Sequence, residues 1–210
     1  MKKGETYNIL FCGVGGQGLM LLSAILGKAG LDSGFNIMTG EQHGLSQRHG
    51  SIYVHFRIGD PISPLIPYGK ADMMISMEAT EALRYIEYLK KDGVIITSNR
   101  IMPTVTETNK LALDKEKKSR YLAVEQIVER MKQVTSKVVV LDSVNLALQA
   151  GNPRTENSVL IGATVACADF PIPKEEVKKA VLALVPPKTI DANSRAFDLG
   201  CSVCADCLGG

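Results

Sequence analysis

Short apolar runs alternate along this chain with segments of helical period. The first run, at residues 7–12, leads into four glycines within residues 13–18, and an apolar segment without proline continues over 17–31. This order predicts a strand, a tight turn and a helix. The helix would be apolar on nearly all sides, which requires cover on two sides. We expect the sheet to supply one cover and a partner subunit the other.

Residues 51–58 alternate between apolar and polar positions, which predicts a half-buried strand. Its polar side carries Tyr53, His55 and Arg57, which could line a ligand groove, meet a protein or form the wet face of an edge strand. Three prolines at 61, 64 and 67 then predict an extended crossing. Further on, the pattern predicts strands at 72–77, 94–97 and 137–141, helices at 78–90, 121–134 and 157–168, an irregular segment at 98–119, and a last helix from Pro173 to the prolines at 186–187.

The alternation of strands and helices predicts the fold class. We expect a single-domain α/β protein, Rossmann-like, with a mostly parallel sheet and helices on both faces. With 210 residues, 45% of them hydrophobic, the chain can bury one core of that kind. In the helix at 157–168, Gly162, Ala163 and Ala166 would let another backbone come close, either from a partner subunit or from within the chain.

Composition excludes several classes of function. A formal net charge of +2 argues against nucleic acid as the main partner, because phosphate binding usually shows as a clustered basic surplus. The one dense basic run, at 115–118, is interleaved with acidic residues. Apolar stretches are too short to span a membrane, and the N-terminal one is too short for a signal peptide. Five cysteines without a secretory signal indicate reduced thiols and a cytoplasmic location.

The glycine turn is the first candidate site. Gly13, Gly15 and Gly18 have the spacing of a dinucleotide-binding fingerprint, in which backbone amides at a helix N-terminus approach an anion. That fingerprint also uses an acid at the end of the second strand to hold a ribose, and Glu41 is a candidate. Alternatively, the glycines serve only to pack the helix closely on the strand.

A dense polar stretch at 41–50 is the second candidate site, because it cannot form part of a core. His43, like His55, could act as an acid or base or as a plain hydrogen-bonding group. Arg48 could hold a phosphate or carboxylate, or pair with Glu41. Two further side chains, those of Ser46 and Gln47, could donate to a ligand or close the turn.

Three cysteines near the C-terminus, Cys201, Cys204 and Cys207, share the spacing of ferredoxin cluster ligands, without the fourth cysteine. They could bind a metal together with a ligand from another chain, or form a flexible reduced tail. Cys12 and Cys167 are expected to be buried packing residues.

Together these stretches resemble a known family. Gly-Val-Gly-Gly-Gln-Gly at 13–18, followed by Glu-x-His-Gly-x-Ser-Gln-Arg-x-Gly-Ser at 41–51, is similar to the gamma-type subunit of 2-oxoacid:ferredoxin oxidoreductases, and most similar to the beta subunit of indolepyruvate ferredoxin oxidoreductases. Residues 157–168 and 193–197 agree with it. His49 departs from it, because the family often has a glycine there.

The resemblance implies a subunit that is inactive alone. A large partner subunit would carry thiamine diphosphate, Mg²⁺ and 4Fe-4S clusters, decarboxylate a 2-oxoacid such as indolepyruvate, and pass electrons to ferredoxin, with coenzyme A as co-substrate. Residues 1–198 would form the gamma-type catalytic domain and 199–210 a cysteine-containing tail. The groups expected to meet the partner or a cofactor are Gly13, Gly15, Gly16, Gln17, Gly18, Glu41, Gly44, Ser46, Gln47 and Arg48, with His43 and Arg48 as catalytic candidates.

Two other functions fit the same residues. One is a free-standing Rossmann-type oxidoreductase that binds NAD or FAD at the glycine turn. The other is a purely structural assembly subunit.

Overall fold

A mixed six-stranded sheet forms the centre of the protein, for which a computed structural model describes residues 4–44, 50–103, 122–167 and 169–208. The strand order is β2-β3-β1-β4-β5-β6. β3 is antiparallel to β1 and β2, while β1, β4, β5 and β6 are parallel. The strands are β1 (Thr6–Val14), β2 (Ile37–His43), β3 (Ser51–Gly59), β4 (Ala71–Ser76), β5 (Leu89–Ser98) and β6 (Val138–Leu141).

Helices cover both faces of the sheet, as the alternating pattern predicts. One core lies between the sheet and α1, α5, α6 and α7, and a second lies between the opposite face and α2 and α3. The single-domain α/β prediction with a mostly parallel sheet is therefore confirmed. The helices are α1 (Leu19–Asp32), α2 (Ala79–Arg84), α3 (Val124–Met131), α4 (Ser143–Gln149), α5 (Glu156–Val165), α6 (Lys174–Leu184) and α7 (Ile190–Leu208), with 3₁₀ turns at Ile86–Tyr88, Pro153–Thr155 and Pro187–Thr189.

Helix α1 is buried on two sides, but both covers come from this chain. One side packs on the sheet and the other on α6. The expectation that a partner subunit supplies the second cover is wrong, because the apolar face of α6, with Val177, Ala180 and Val181, fills that place.

Two glycines set the crossing of α5 and α7. A methyl group at Gly162 would overlap the carbonyl oxygen of Phe197, and one at Gly200 would overlap that of Val159. Of the two explanations for the small residues at 157–168, close packing within the chain is therefore the one that the structure supports at Gly162.

The C-terminal segment is part of α7, which runs without a break through residue 199. The flexible-tail alternative is wrong as far as Leu208, because the segment is helical and Cys201 and Cys204 are buried against α5. For the same reason α6 is not the last helix. The prolines at 186–187, which were expected to end the last helix, lie at the start of a 3₁₀ turn that leads into α7.

Strand β3 lies inside the sheet, between β2 and β1, so its polar side is not the wet face of an edge strand. The extended crossing at 60–70 covers that side. Arg57 Nη1 donates to the carbonyl oxygen of Ser63 at 2.8 Å, and the Ile66 amide donates to His55 Nδ1 at 3.2 Å.

Several boundaries differ from the prediction. The helix expected at 78–90 ends at Arg84, and β5 begins at Leu89. Sequence reading missed α4, although Asp142 caps it by accepting the Asn145 amide at 3.1 Å. The expected irregular segment is non-helical over 99–103, and residues 104–119, with the basic run, lie outside the described part.

Among the helices described, none is long and apolar enough to cross a membrane.

Candidate binding cleft at the glycine turn

The helices that follow β1 and β4 lie on opposite faces of the sheet. Helix α1 belongs to one core and α2 to the other. The segments that follow β1 and β4 therefore diverge where these two neighbouring strands end. In open α/β sheets, ligands bind in the crevice at such a switch point, outside the carboxyl ends of the strands. A cleft of about 510 Å³ lies there, lined by Gly15, Gly16, Gln17, Gly18, Met77, Arg100, Met102, Pro153, Arg154, Glu156 and Asn157.

Backbone forms the β1 side of the cleft. Gly16 and Gly18 have φ angles of 96° and 79°, which glycine adopts without strain. Gly18 caps α1, and a Cβ atom there would lie 2.5 Å from Asn157 Nδ2. The glycines therefore allow close packing and leave the backbone at the N-terminus of α1 open to the cleft, while binding of an anion there stays a prediction.

The Gln17 side chain is engaged by the protein itself. Its Oε1 accepts the Val14 amide at 2.8 Å, and its Nε2 donates to the Met77 carbonyl oxygen at 3.3 Å. Nε2 also lies 3.3 Å from Met102 Sδ. Gln17 thus joins the loops after β1, β4 and β5 and also lines the cleft, and the prediction that it meets a cofactor stays a prediction.

Two arginines bring positive charge to the cleft. Arg100 follows β5 and its Nη1 lies 3.2 Å from Glu156 Oε1, at the start of α5. Arg154 lies in the 3₁₀ turn before α5, where its amide donates to Asn152 Oδ1 at 3.0 Å. Guanidinium groups bind phosphates and carboxylates through paired N–H donors, so this wall suits an anion.

A buried carboxylate holds the loop that carries Arg100. Glu78 Oε1 accepts the Met102 amide at 3.0 Å, and Oε2 accepts the Glu81 amide at 2.7 Å, which also caps α2. In addition, the Ala79 amide donates to the Arg100 carbonyl oxygen at 2.9 Å. Burial raises the pKa of Glu78, and the two amide donors oppose that rise.

The polar stretch at 41–50 begins as strand, not loop. Glu41, Gln42 and His43 belong to β2, with Glu41 and His43 exposed. In register, His43 lies opposite Ile52, which lies opposite Gly13, so His43 is two strands from the glycine turn, about 10 Å away. Glu41 has the same separation from β1. It is therefore unsuited to hold the ribose of a nucleotide on the turn, because β3 occupies the intervening position.

The ends of the polar stretch nevertheless lie beside the glycine turn. The Gly15 amide donates to the Gly50 carbonyl oxygen, and the Gly44 amide donates to the Ser51 carbonyl oxygen, both at 2.9 Å. The two candidate stretches thus meet at one end of the sheet. The remaining predicted residues, Ser46, Gln47 and Arg48, lie outside the described residues, as does His49.

Two of the C-terminal cysteines, Cys201 and Cys204, are buried in the core. Cys204 Sγ is 4.0 Å from Cys167 Sγ, and burial raises the pKa of Cys201. Within the described ranges, no three His, Cys, Asp or Glu side chains come together as a metal-ligand set. The metal prediction therefore has no support from Cys201 and Cys204, and the side chain of Cys207 lies outside the described part.

Sequence reading missed Arg100, Met102, Arg154 and Glu156. Arg100 carried a usable signal, because polar residues that follow a buried strand gather at the carboxyl edge of a parallel sheet. Arg154 and Glu156 carried none, since their position depends on the unpredicted helix α4 and on the packing of α5.

Comparisons with known proteins agree on one family. The family described as pyruvate ferredoxin/flavodoxin oxidoreductase matches residues 8–203. Indolepyruvate oxidoreductase subunit IorB of Thermococcus kodakarensis is 43% identical over 210 residues, which cover 98% of this chain and 99% of that relative.

Solved structures share the fold. The gamma subunit of a keto/oxoacid ferredoxin oxidoreductase from Geobacter sulfurreducens superposes with a TM-score of 0.68 at 23% identity, covering 95% of this chain and 99% of that one. A 2-oxoglutarate:ferredoxin oxidoreductase from Magnetococcus marinus, solved with 2-oxoglutarate, coenzyme A and succinyl-CoA, has a TM-score of 0.66 at 14% identity. The match covers 99% of this chain and 32% of that longer chain.

Proposed function

Because this chain belongs to the pyruvate ferredoxin/flavodoxin oxidoreductase family, we propose that it is the small subunit of an indolepyruvate:ferredoxin oxidoreductase and that its cleft binds the phosphates of coenzyme A. The family resemblance found in the glycine turn and the polar stretch is confirmed. Thiamine diphosphate, Mg²⁺ and the 4Fe-4S clusters would lie on a larger partner subunit, from which electrons pass to ferredoxin in the cytoplasm.

One observation carries the proposal for the cleft. A backbone turn at the N-terminus of α1 and two guanidinium groups line the same crevice, at the switch point of the sheet. Phosphate groups are bound by helix N-terminal amides and by arginine forks, and coenzyme A carries several phosphates. Arg100 and Arg154 would bind and orient the co-substrate, while the acyl transfer takes place at the partner's thiamine diphosphate.

The position of the polar stretch supports a shared interface. Gly44 and Gly50, at the two ends of the loop, are tied to Ser51 and to the glycine turn. These two described residues therefore lie at the same end of the sheet as the cleft. We propose that both features face the larger subunit, with His43 and Arg48 as the candidates closest to its reaction centre.

Steady-state kinetics of the complex reconstituted with its large subunit test the cleft. Arg100→Ala and Arg154→Ala should each raise the KM for coenzyme A about tenfold or more, because loss of one charge-assisted hydrogen bond costs about 1.5–3 kcal/mol. At saturating coenzyme A, kcat should change much less, since the lost contact serves ground state and transition state alike.

Arg130→Ala is the matched control, because Arg130 is an exposed arginine on α3, on the other face of the sheet. Its KM should equal that of the wild type. If the two cleft variants also keep the wild-type KM, the cleft does not bind coenzyme A.

The other two functions have their own tests. Micromolar NAD binding with hydride transfer by the chain alone would identify a free-standing oxidoreductase. For a purely structural subunit, Glu41→Ala and Arg48→Ala should leave both turnover and the KM for coenzyme A unchanged, whereas a tenfold change in either value would make the polar stretch functional.

A further inference from the structure

A closed ring of hydrogen bonds lies behind the cleft and holds Arg100 at both ends. The Arg100 amide donates to Ser98 Oγ at 3.2 Å, and the two hydroxyls of Ser98 and Ser143 lie 2.8 Å apart. Ser143 Oγ donates to Glu156 Oε2 at 3.0 Å. Glu156 Oε1 closes the ring by accepting from Arg100 Nη1 at 3.2 Å.

The direction of each hydrogen bond in the ring follows from the chemistry of its members. The Glu156 carboxylate only accepts, so both Arg100 and Ser143 donate to it. Ser143 has one proton and has used it, so Ser98 must donate to Ser143 Oγ. Ser98 Oγ is then free to accept the Arg100 amide, and each hydroxyl donates once and accepts once.

Burial makes this ring rigid. Ser98 and Ser143 have no exposed surface, so neither hydroxyl can exchange its partner for bulk water without opening the core. The three hydrogen bonds from the Arg100 amide through Ser98 and Ser143 to Glu156 run in one direction, and such a chain inside a protein polarises and strengthens its members. The ring spans the end of β5 and the starts of α4 and α5, so three elements fix the Glu156 carboxylate that holds the guanidinium.

A fixed guanidinium is an advantage for binding. A free arginine side chain loses about 2 kcal/mol of rotamer entropy when a ligand immobilises it. Holding Arg100 beforehand removes part of that cost. Glu156 takes one N–H in this contact, and a guanidinium has five.

We infer that Ser143 is a positioning residue, which preorganises Arg100 for a phosphate group of the co-substrate through Glu156 and Ser98. This inference rests on the proposed function of the cleft. Ser143 itself does not line the cleft and acts through Arg100.

Kinetics of the reconstituted complex with Ser143→Ala test the inference. The variant should raise the KM for coenzyme A about three- to tenfold, with kcat at saturating coenzyme A within about twofold of the wild type, because binding alone is impaired. In the double variant with Arg100→Ala, the KM should equal that of Arg100→Ala alone, since the hydroxyl has no other route to the ligand.

Thr135→Val is the matched control. Thr135 is a buried residue whose hydroxyl also makes two hydrogen bonds, to Gly93 and Lys137, but at the opposite end of the sheet. It should lower the thermal midpoint in the way that Ser143→Ala does and leave the KM for coenzyme A unchanged. If Ser143→Ala does not fold, Ser98→Ala opens the ring at another point and takes its place.

The outcomes separate this inference from the proposed function. A raised KM in Arg100→Ala with a wild-type KM in Ser143→Ala overturns the positioning role and leaves the proposed function intact. Additive effects in the double variant overturn it as well, because Ser143 would then act independently of Arg100. A wild-type KM in Arg100→Ala contradicts the proposed function of the cleft, and the inference fails with it.

Discussion

His55 is a buried imidazole that accepts a hydrogen bond. Only 1% of its surface is exposed, and Nδ1 accepts the Ile66 amide at 3.2 Å. Its ring makes edge-on contacts with Tyr53 and Tyr88. Burial, and secondarily the positive charge of Arg57, lower the pKa of His55 below its ordinary value. Protonation would also place a proton on Nδ1, where it would face the Ile66 N–H and remove the acceptor of that hydrogen bond.

His55 should therefore make the chain sensitive to acid. A basic group whose pKa is lowered on folding contributes stability that is present above its unfolded pKa, about 6.5, and is lost as the pH falls through its folded pKa. The free energy of unfolding should thus decline between pH 7 and pH 5 more steeply in the wild type than in His55→Gln. Urea unfolding at several pH values measures both slopes.

The same comparison removes the contribution of Glu78. The raised pKa of Glu78 affects stability in the opposite direction, because it favours the folded state at low pH. This effect is the same in the wild type and in His55→Gln. Equal pH slopes in the wild type and His55→Gln would contradict the account of His55.

At the residue scale, the sequence predicted types of residue better than their roles. It pointed to Gly13, Gly15 and Gly18, of which Gly15 and Gly18 lie between β1 and α1 as expected, whereas Gly13 is still part of β1. It also pointed to Gln17 and Glu41 as ligand groups. The Gln17 side chain hydrogen-bonds the backbone beside the cleft that it lines, and Glu41 lies behind an inserted strand. These roles depend on which strands are neighbours, and that information is absent from local spacing.

At the element scale, the crossing of α5 and α7 depends on Gly162 and Gly200, because a methyl group at either position would overlap a backbone carbonyl oxygen of the other helix. Gly162→Ala should lower the free energy of unfolding by about 3 kcal/mol or more, because the added methyl meets the Phe197 backbone and not a movable side chain. Urea unfolding of the chain checks this value.

Gly27→Ala is the matched control within α1. A methyl there would lie 3.8 Å from Phe56 Cε2, an ordinary contact, so the change should be neutral or stabilise the chain by up to about 1 kcal/mol. Equal effects of the two substitutions would mean that helix propensity, and not the crossing, determines the response.

Elements with a clear period were predictable, and those defined by tertiary contacts were not. The strands β1, β3, β4 and β6 and the helix α1 followed from apolar runs and the glycine turn. Helix α7 was missed because the prolines at 186–187 and the cysteine spacing favoured a tail, whereas its stability comes from packing on α5. The antiparallel position of β3 was equally hidden, since an alternating strand is compatible with either direction.

At the scale of the whole molecule, the parts that bear on function gather at one end of the sheet. The glycine turn, the ends of the polar loop, Arg100 and Arg154 all lie there, while the cysteines and the α5–α7 crossing belong to the core. A chain arranged in this way can present a backbone turn and two guanidinium groups to a neighbour. Its role as a small subunit accords with that arrangement.

Hydrogen–deuterium exchange, compared between the free chain and the reconstituted complex, tests the central claim most directly. We predict that peptides covering residues 13–18 and 41–50 exchange more slowly in the complex, because the large subunit covers that end of the sheet. Peptides covering residues 89–93, at the opposite end, should keep their rates. Unchanged exchange at both functional stretches, with protection elsewhere on the surface, would show that the partner binds a different face and would contradict the account.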